Sequence, residues 1–90
     1  MIQQKNIALD NLIEIDKKMR EYGFQWDNYQ QILNQITNET AEVKESLNSQ
    51  ESAERIQEEL GDLLHAIIAL IIFKNYDTEK IMIKITEKLT

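Results

Sequence analysis

Cysteine and proline are both missing from the 90 residues, and glycine occurs only twice, at Gly23 and Gly61. Without cysteine there is neither a disulfide framework nor a thiolate metal site. So little proline and glycine argues against a sandwich or barrel built on many tight turns. Bases are also scarce, ten against sixteen acids, for a formal charge of −6. A basic nucleic-acid footprint is therefore absent, and no nucleic-acid partner is expected. The longest apolar run, residues 66–73, falls far short of the roughly 20 residues that span a bilayer, so no membrane partner is expected either. Residues 1–6 lack the charged and apolar regions of a signal peptide. The chain reads as a cytoplasmic protein with one small domain over residues 1–90.

What is present is helical periodicity. Four stretches carry apolar residues at steps of three and four. The first runs over about 5–21, with Leu9, Leu12, Ile13 and Met19 on one side, and Gly23 ends it. The second runs over about 28–47 on Ile32, Ile36, Val43 and Leu47, with Asp27 or Asn28 as its cap. The third follows a cap at Ser49 or Ser52 and extends to about residue 74. Its line is Ile56, Leu60, Leu63, Ile67 and Leu70, and past Ala66 it is apolar nearly all round, which predicts burial on every side. Asp77 or Thr78 caps the fourth, which carries Ile81, Ile85 and Leu89. The fold predicted is all-α and resembles a four-helix bundle. Met19 and Met82 read as core filler. Phe24, Trp26, Tyr22 and Tyr29 read as a packing cluster that closes the bundle, with Trp26 also a candidate wall of a base pocket.

The acids are placed informatively. At about 100° per residue, Glu39 falls on the edge of the Ile32 stripe and Glu42 lies one step round. Glu59 borders the third helix's line, and Asp62 follows three residues later. Antiparallel neighbours would set Glu39, Glu42, Glu59 and Asp62 against one another. Four ionised carboxylates in a partly buried place repel strongly, and a divalent cation relieves them. Oxygen-only ligands favour a hard ion, Mg²⁺ or Mn²⁺. The other acids, among them Asp10, Glu14, Glu45, Glu51 and Glu54, read as surface, with Glu14 paired to Lys17 or Lys18 and Glu51 to Arg55. His65 falls opposite the Ile67 line and reads as an exposed or interface residue. Gly61, in mid-helix, suggests a close helix approach near the metal.

Gly23-Phe24-Gln25-Trp26, the pair Glu39-Thr40-Ala41-Glu42, and the run Glu58-Glu59-Leu60-Gly61-Asp62-Leu63-Leu64 occur in that order. Together they resemble the MazG-type all-α nucleoside triphosphate pyrophosphohydrolases, whose signature is ExxE followed by ExxD. The likeness is greatest to the second of the two repeats of full-length MazG proteins. It implies cleavage of a nucleoside triphosphate between its α and β phosphates, giving a monophosphate and pyrophosphate. By matching position it implies Glu39, Glu42, Glu59 and Asp62 as Mg²⁺ ligands and Glu58 as an auxiliary or water-orienting group. Lys88 matches a lysine that contacts substrate phosphates, and its place beside Ile81, Ile85 and Leu89 lets it point inward along a buried edge. The resemblance also implies a homodimer or a dimer of dimers, with residues 66–73 as an interface. Three positions depart from the family pattern: Asn38 stands for an acid, Gln35 for a lysine, and Thr86 for an asparagine. Phosphoribosyl-ATP pyrophosphohydrolase, on the same superfamily fold, is the nearest alternative. A catalytically degenerate helical interaction module is the alternative from another class.

Overall fold

The computed structural model describes residues 7–90, all helix and connection with no strand among them. Residues 1–6, including the predicted start of the first helix and the segment read for a leader, lie outside the described residues. The helices are α1 (Ile7–Glu21), α2 (Tyr29–Asn48), α3 (Ala53–Phe73) and α4 (Thr78–Leu89). No described helix is long and apolar enough to cross a membrane.

The ends follow local chemistry. Asn28, Ser52 and Asp77 each accept a backbone N–H three residues on, from Gln31, Arg55 and Lys80, so side-chain oxygens satisfy orphan donors at three helix starts. Of the two serines before α3, Ser52 is the cap. Gly23 sits at φ +98°, the left-handed region a side chain rarely adopts, and Phe24 N–H reaches back to Met19 O to close α1.

The connection between α2 and α3 is so short that the two form an antiparallel hairpin, and this hairpin is the main packing unit. Ile32 and Val43 of α2 and Ala66, Ile68 and Ala69 of α3 are its buried hydrophobics. α1 packs on another side of α3. Arg20 does much of the fastening, donating through Nε to Asp16 Oδ2 and through a terminal nitrogen to Ala69 O, both at 2.8 Å.

Several expectations are corrected here. The four helices do not close into a bundle within one chain, because α4 buries none of its residues. Ile81, Met82, Ile85 and Leu89 stay exposed, so Met82 is not core, and Lys88 does not point along a buried edge. α3 is not buried all round. Leu60, Leu64 and Ile67 are exposed, while Glu59, Ala66, Ile68 and Ala69 are the buried residues of the helix. A helix apolar on most of its surface gives no unique direction for its core: of the predicted line Ile56, Leu63 and Leu70 are half-buried, while Leu60 and Ile67 are exposed. Gly61 marks no close approach either, since a Cβ built there would meet nothing within 4 Å.

Candidate metal centre and adjoining cleft

The hairpin sets the ExxE segment of α2 against the Glu59 turn of α3. Carboxylate oxygens of Glu39, Glu42 and Glu59 all lie within 4.8 Å of one another. Glu42 is exposed, Glu39 half-buried, and Glu59 only 3% exposed. Glu39 Oε1 accepts from Gln35 Nε2 at 2.7 Å, and Glu59 Oε1 from Arg55 at 2.8 Å. The second oxygen of each, Glu39 Oε2 and Glu59 Oε2, is buried with no hydrogen-bond partner. A buried carboxylate oxygen without a partner is costly. Burial pushes the Glu59 carboxyl above its usual range. The neighbouring Glu42 carboxyl acts the same way, as does the charge of Asp62, while Arg55 opposes them.

These donors fit a hard divalent cation. All are carboxylate oxygens, they converge from two helices, and two of the residues leave an oxygen unsatisfied. Of the four predicted ligands the structure brings three together. Asp62 stands near enough to Glu59 to raise its proton affinity, but is not within that set of mutually close oxygens. It lines, with Glu39, a cleft of about 380 Å³ beside the cluster. Glu58 is turned away, exposed and 3.1 Å from Arg55. Lys88 is exposed on α4 and does not line the cleft.

The cleft has two characters. Its lining includes polar residues, Glu39, Gln35 and Asp62, and apolar ones, Met19, Phe24 and Trp26. The predicted aromatic cluster is thus divided. Phe24 and Trp26 face the cleft, Tyr22 is exposed, and Tyr29 lies in a separate hollow beside Leu33 and Ile71. Met19 lines the cleft instead of filling the core.

Three residues here were not anticipated. Arg55, expected only to pair with Glu51, also reaches Glu58 and Glu59 and joins the exposed face to the buried acid. The predicted Glu14–Lys18 pair forms at 3.8 Å. His65 is half-buried and not free, since its Nε2 lies 2.9 Å from Asp16 Oδ1. Asp16 itself is buried, at 5% exposure. Its signal was in the sequence: at about 100° per residue it sits in the middle of the stripe of Leu9, Leu12 and Ile13, where an acid needs a partner.

Residues 27–90 match the MazG nucleotide pyrophosphohydrolase domain. The chain belongs to the MazG family. The matched span holds α2, α3 and α4, and with them all three clustered glutamates. Among curated proteins the chain is similar to the nucleoside triphosphate pyrophosphohydrolase/pyrophosphatase MazG of Thermotoga maritima, at 33% identity over 81 residues. The alignment takes in 90% of this chain and 30% of that MazG protein, so the chain spans under a third of its relative's length. No solved structure matches.

Proposed function

We propose that this MazG domain is a Mg²⁺-dependent nucleoside triphosphate pyrophosphohydrolase that cuts between the α and β phosphates, releasing a nucleoside monophosphate and pyrophosphate. Mn²⁺ is the alternative ion. The observation that carries this reading is the convergence of Glu39, Glu42 and Glu59, with two buried oxygens unpartnered, at the edge of a cleft with aromatic walls.

Glu39, Glu42 and Glu59 would hold the cation, with Asp62 as a fourth carboxylate reached across the cleft. The bound cation supplies charge neutralisation for the triphosphate, activation of a water and stabilisation of the leaving pyrophosphate. The chain's own groups do the rest. Gln35 occupies one oxygen of Glu39 and Arg55 one oxygen of Glu59, which fixes the opposite oxygens. Glu58 acts through Arg55, as a positioning residue rather than a ligand. Phe24 and Trp26 offer ring faces to a base. The cleft volume falls in the roughly 300–1,000 Å³ range of small-molecule sites.

A second copy of the chain is the partner that the open apolar faces of α3 and α4 call for, as a homodimer or homotetramer. Lys88, remote from the cleft of its own chain, would then serve a neighbour's substrate.

The test is product analysis. The protein is incubated with ribo- and deoxyribonucleoside triphosphates and Mg²⁺, with Glu42→Gln as control. Monophosphate plus pyrophosphate, lost in the control, is expected. Diphosphate plus orthophosphate would refute the assignment of the bond. No product from any triphosphate would favour a degenerate interaction module or phosphoribosyl-ATP as the substrate.

A further inference from the structure

The residues that α3 gives to the cleft are Asp62, His65, Ala66 and Ala69, at steps of three, one and three. They form one stripe along the helix. His65 lies about 4.5 Å along the axis from Asp62, and Ala69 about 10 Å. A nucleotide with its phosphates at Glu39 and Asp62 and its base against Phe24 and Trp26 would bring its sugar past that stripe. The two alanines leave the floor clear. His65 is the polar side chain there.

His65 is also held in place. Asp16 is buried and both its oxygens are engaged, Oδ2 by Arg20 Nε at 2.8 Å and Oδ1 by His65 Nε2 at 2.9 Å. Arg20 is tied in turn to Ala69 O. A carboxylate that already accepts from Arg20 accepts from the imidazole as well, so Nε2 carries the hydrogen. In the neutral ring Nδ1 is then an acceptor, and it has no partner among the described residues. The side chain is 39% exposed and lines the cleft.

We propose that His65, oriented by Asp16, accepts a hydrogen bond through Nδ1 from a sugar hydroxyl of the nucleotide and so sets preference at the sugar. The inference rests on the nucleotide reading of the cleft and deepens it. Asp16 and Arg20 are positioning residues.

The test is binding, followed by fluorescence of Trp26, the chain's one tryptophan. Mg²⁺ complexes of α,β-methylene ATP, GTP, CTP and UTP are titrated against their 2′,3′-dideoxy counterparts. The wild type is expected to bind the best hydroxylated analogue roughly three- to tenfold more tightly than its dideoxy form, the worth of one neutral hydrogen bond. His65→Lys keeps a donor toward Asp16 and has no acceptor to replace Nδ1. It should bind the hydroxylated and dideoxy forms alike, with the melting temperature kept by the Asp16 contact. Equal loss of affinity for both forms would show a structural role and overturn the proposal. So would a wild type without sugar discrimination, or one that binds no analogue. Sugar discrimination by a protein that hydrolyses no natural triphosphate would sink the cleavage reading and leave His65 in this role.

Discussion

Glu59 concentrates the tension of the site in one side chain. Its carboxyl is held above the usual range chiefly by burial, with Glu42 and Asp62 adding to it. The folded chain therefore keeps this proton at a pH where the unfolded chain has released it. It follows that Glu59 favours the metal-free fold below the ordinary glutamate range, about pH 4, and that this contribution is lost as pH rises through the raised folded value. Urea midpoints of the metal-free protein are expected to fall over that interval, and Glu59→Gln should flatten the trend. Added Mg²⁺ should oppose it, because the cation binds the ionised form. A Glu59→Gln profile parallel to the wild type's would refute the assignment. Gly61 gives a second residue-scale expectation. It lies in α3, is exposed, and has open space where a Cβ would stand. Gly61→Ala should stabilise by up to about 1 kcal/mol, read as a rise of roughly 4–8 °C in melting temperature. A lower melting temperature would instead place a second copy against that position.

Among the elements, α1 depends on few contacts, and the Asp16–Arg20–Ala69 link is the polar part of them. Asp16→Ala would strand Arg20, which keeps some access to water. The expected cost is about 2–3 kcal/mol, at or below the low end for a broken buried pair. Hydrogen exchange should rise over Ile7–Glu21 while the α2–α3 hairpin keeps its protection. Uniform loss across all helices would mean that α1 is integral to the core.

The elements also show what could be read in advance. Helix number, three caps to within a pair of candidates each, and three of the four expected carboxylates coming together follow from rules acting within a few residues, plus one short loop that forces a hairpin. The covered side of α3 did not follow, because Leu60, Leu64 and Ile67 look as core-like as Ala66 and Ile68. His65 meets Asp16 of α1 on the side of α3 away from Ile67, which the apolar line left to solvent or a partner. Asp16 and His65 are 49 residues apart, and no local pattern joins them. Lys88 was misplaced for a related reason: α4 is amphipathic, but among the described residues none of its side chains is buried.

At the scale of the molecule, the core is small for the apolar surface left outside it. Five hydrophobics are buried among the described residues, while Leu60, Leu64 and Ile67 of α3 and Ile81, Met82, Ile83 and Ile85 of α4 are exposed. Apolar surface on this scale in a short chain calls for a covering partner. Sedimentation should find a dimer or a larger even-numbered assembly. Leu64→Glu should shift it toward monomer and lower the melting temperature. A wild type that sediments as a stable monomer would remove the second copy from the account and, with it, the role given to Lys88.

The carboxylate centre carries the rest, and it can be addressed without knowing the substrate. Mn²⁺ is titrated into the metal-free wild type, Glu39→Gln and Glu59→Gln, and free ion is counted by electron paramagnetic resonance. The expected result is saturable binding by the wild type, displaced by Mg²⁺ and weakened at least tenfold in both variants. Equal binding by all three proteins would show that the two buried, unpartnered oxygens hold no ion, and would contradict the metal centre on which the proposed reaction depends.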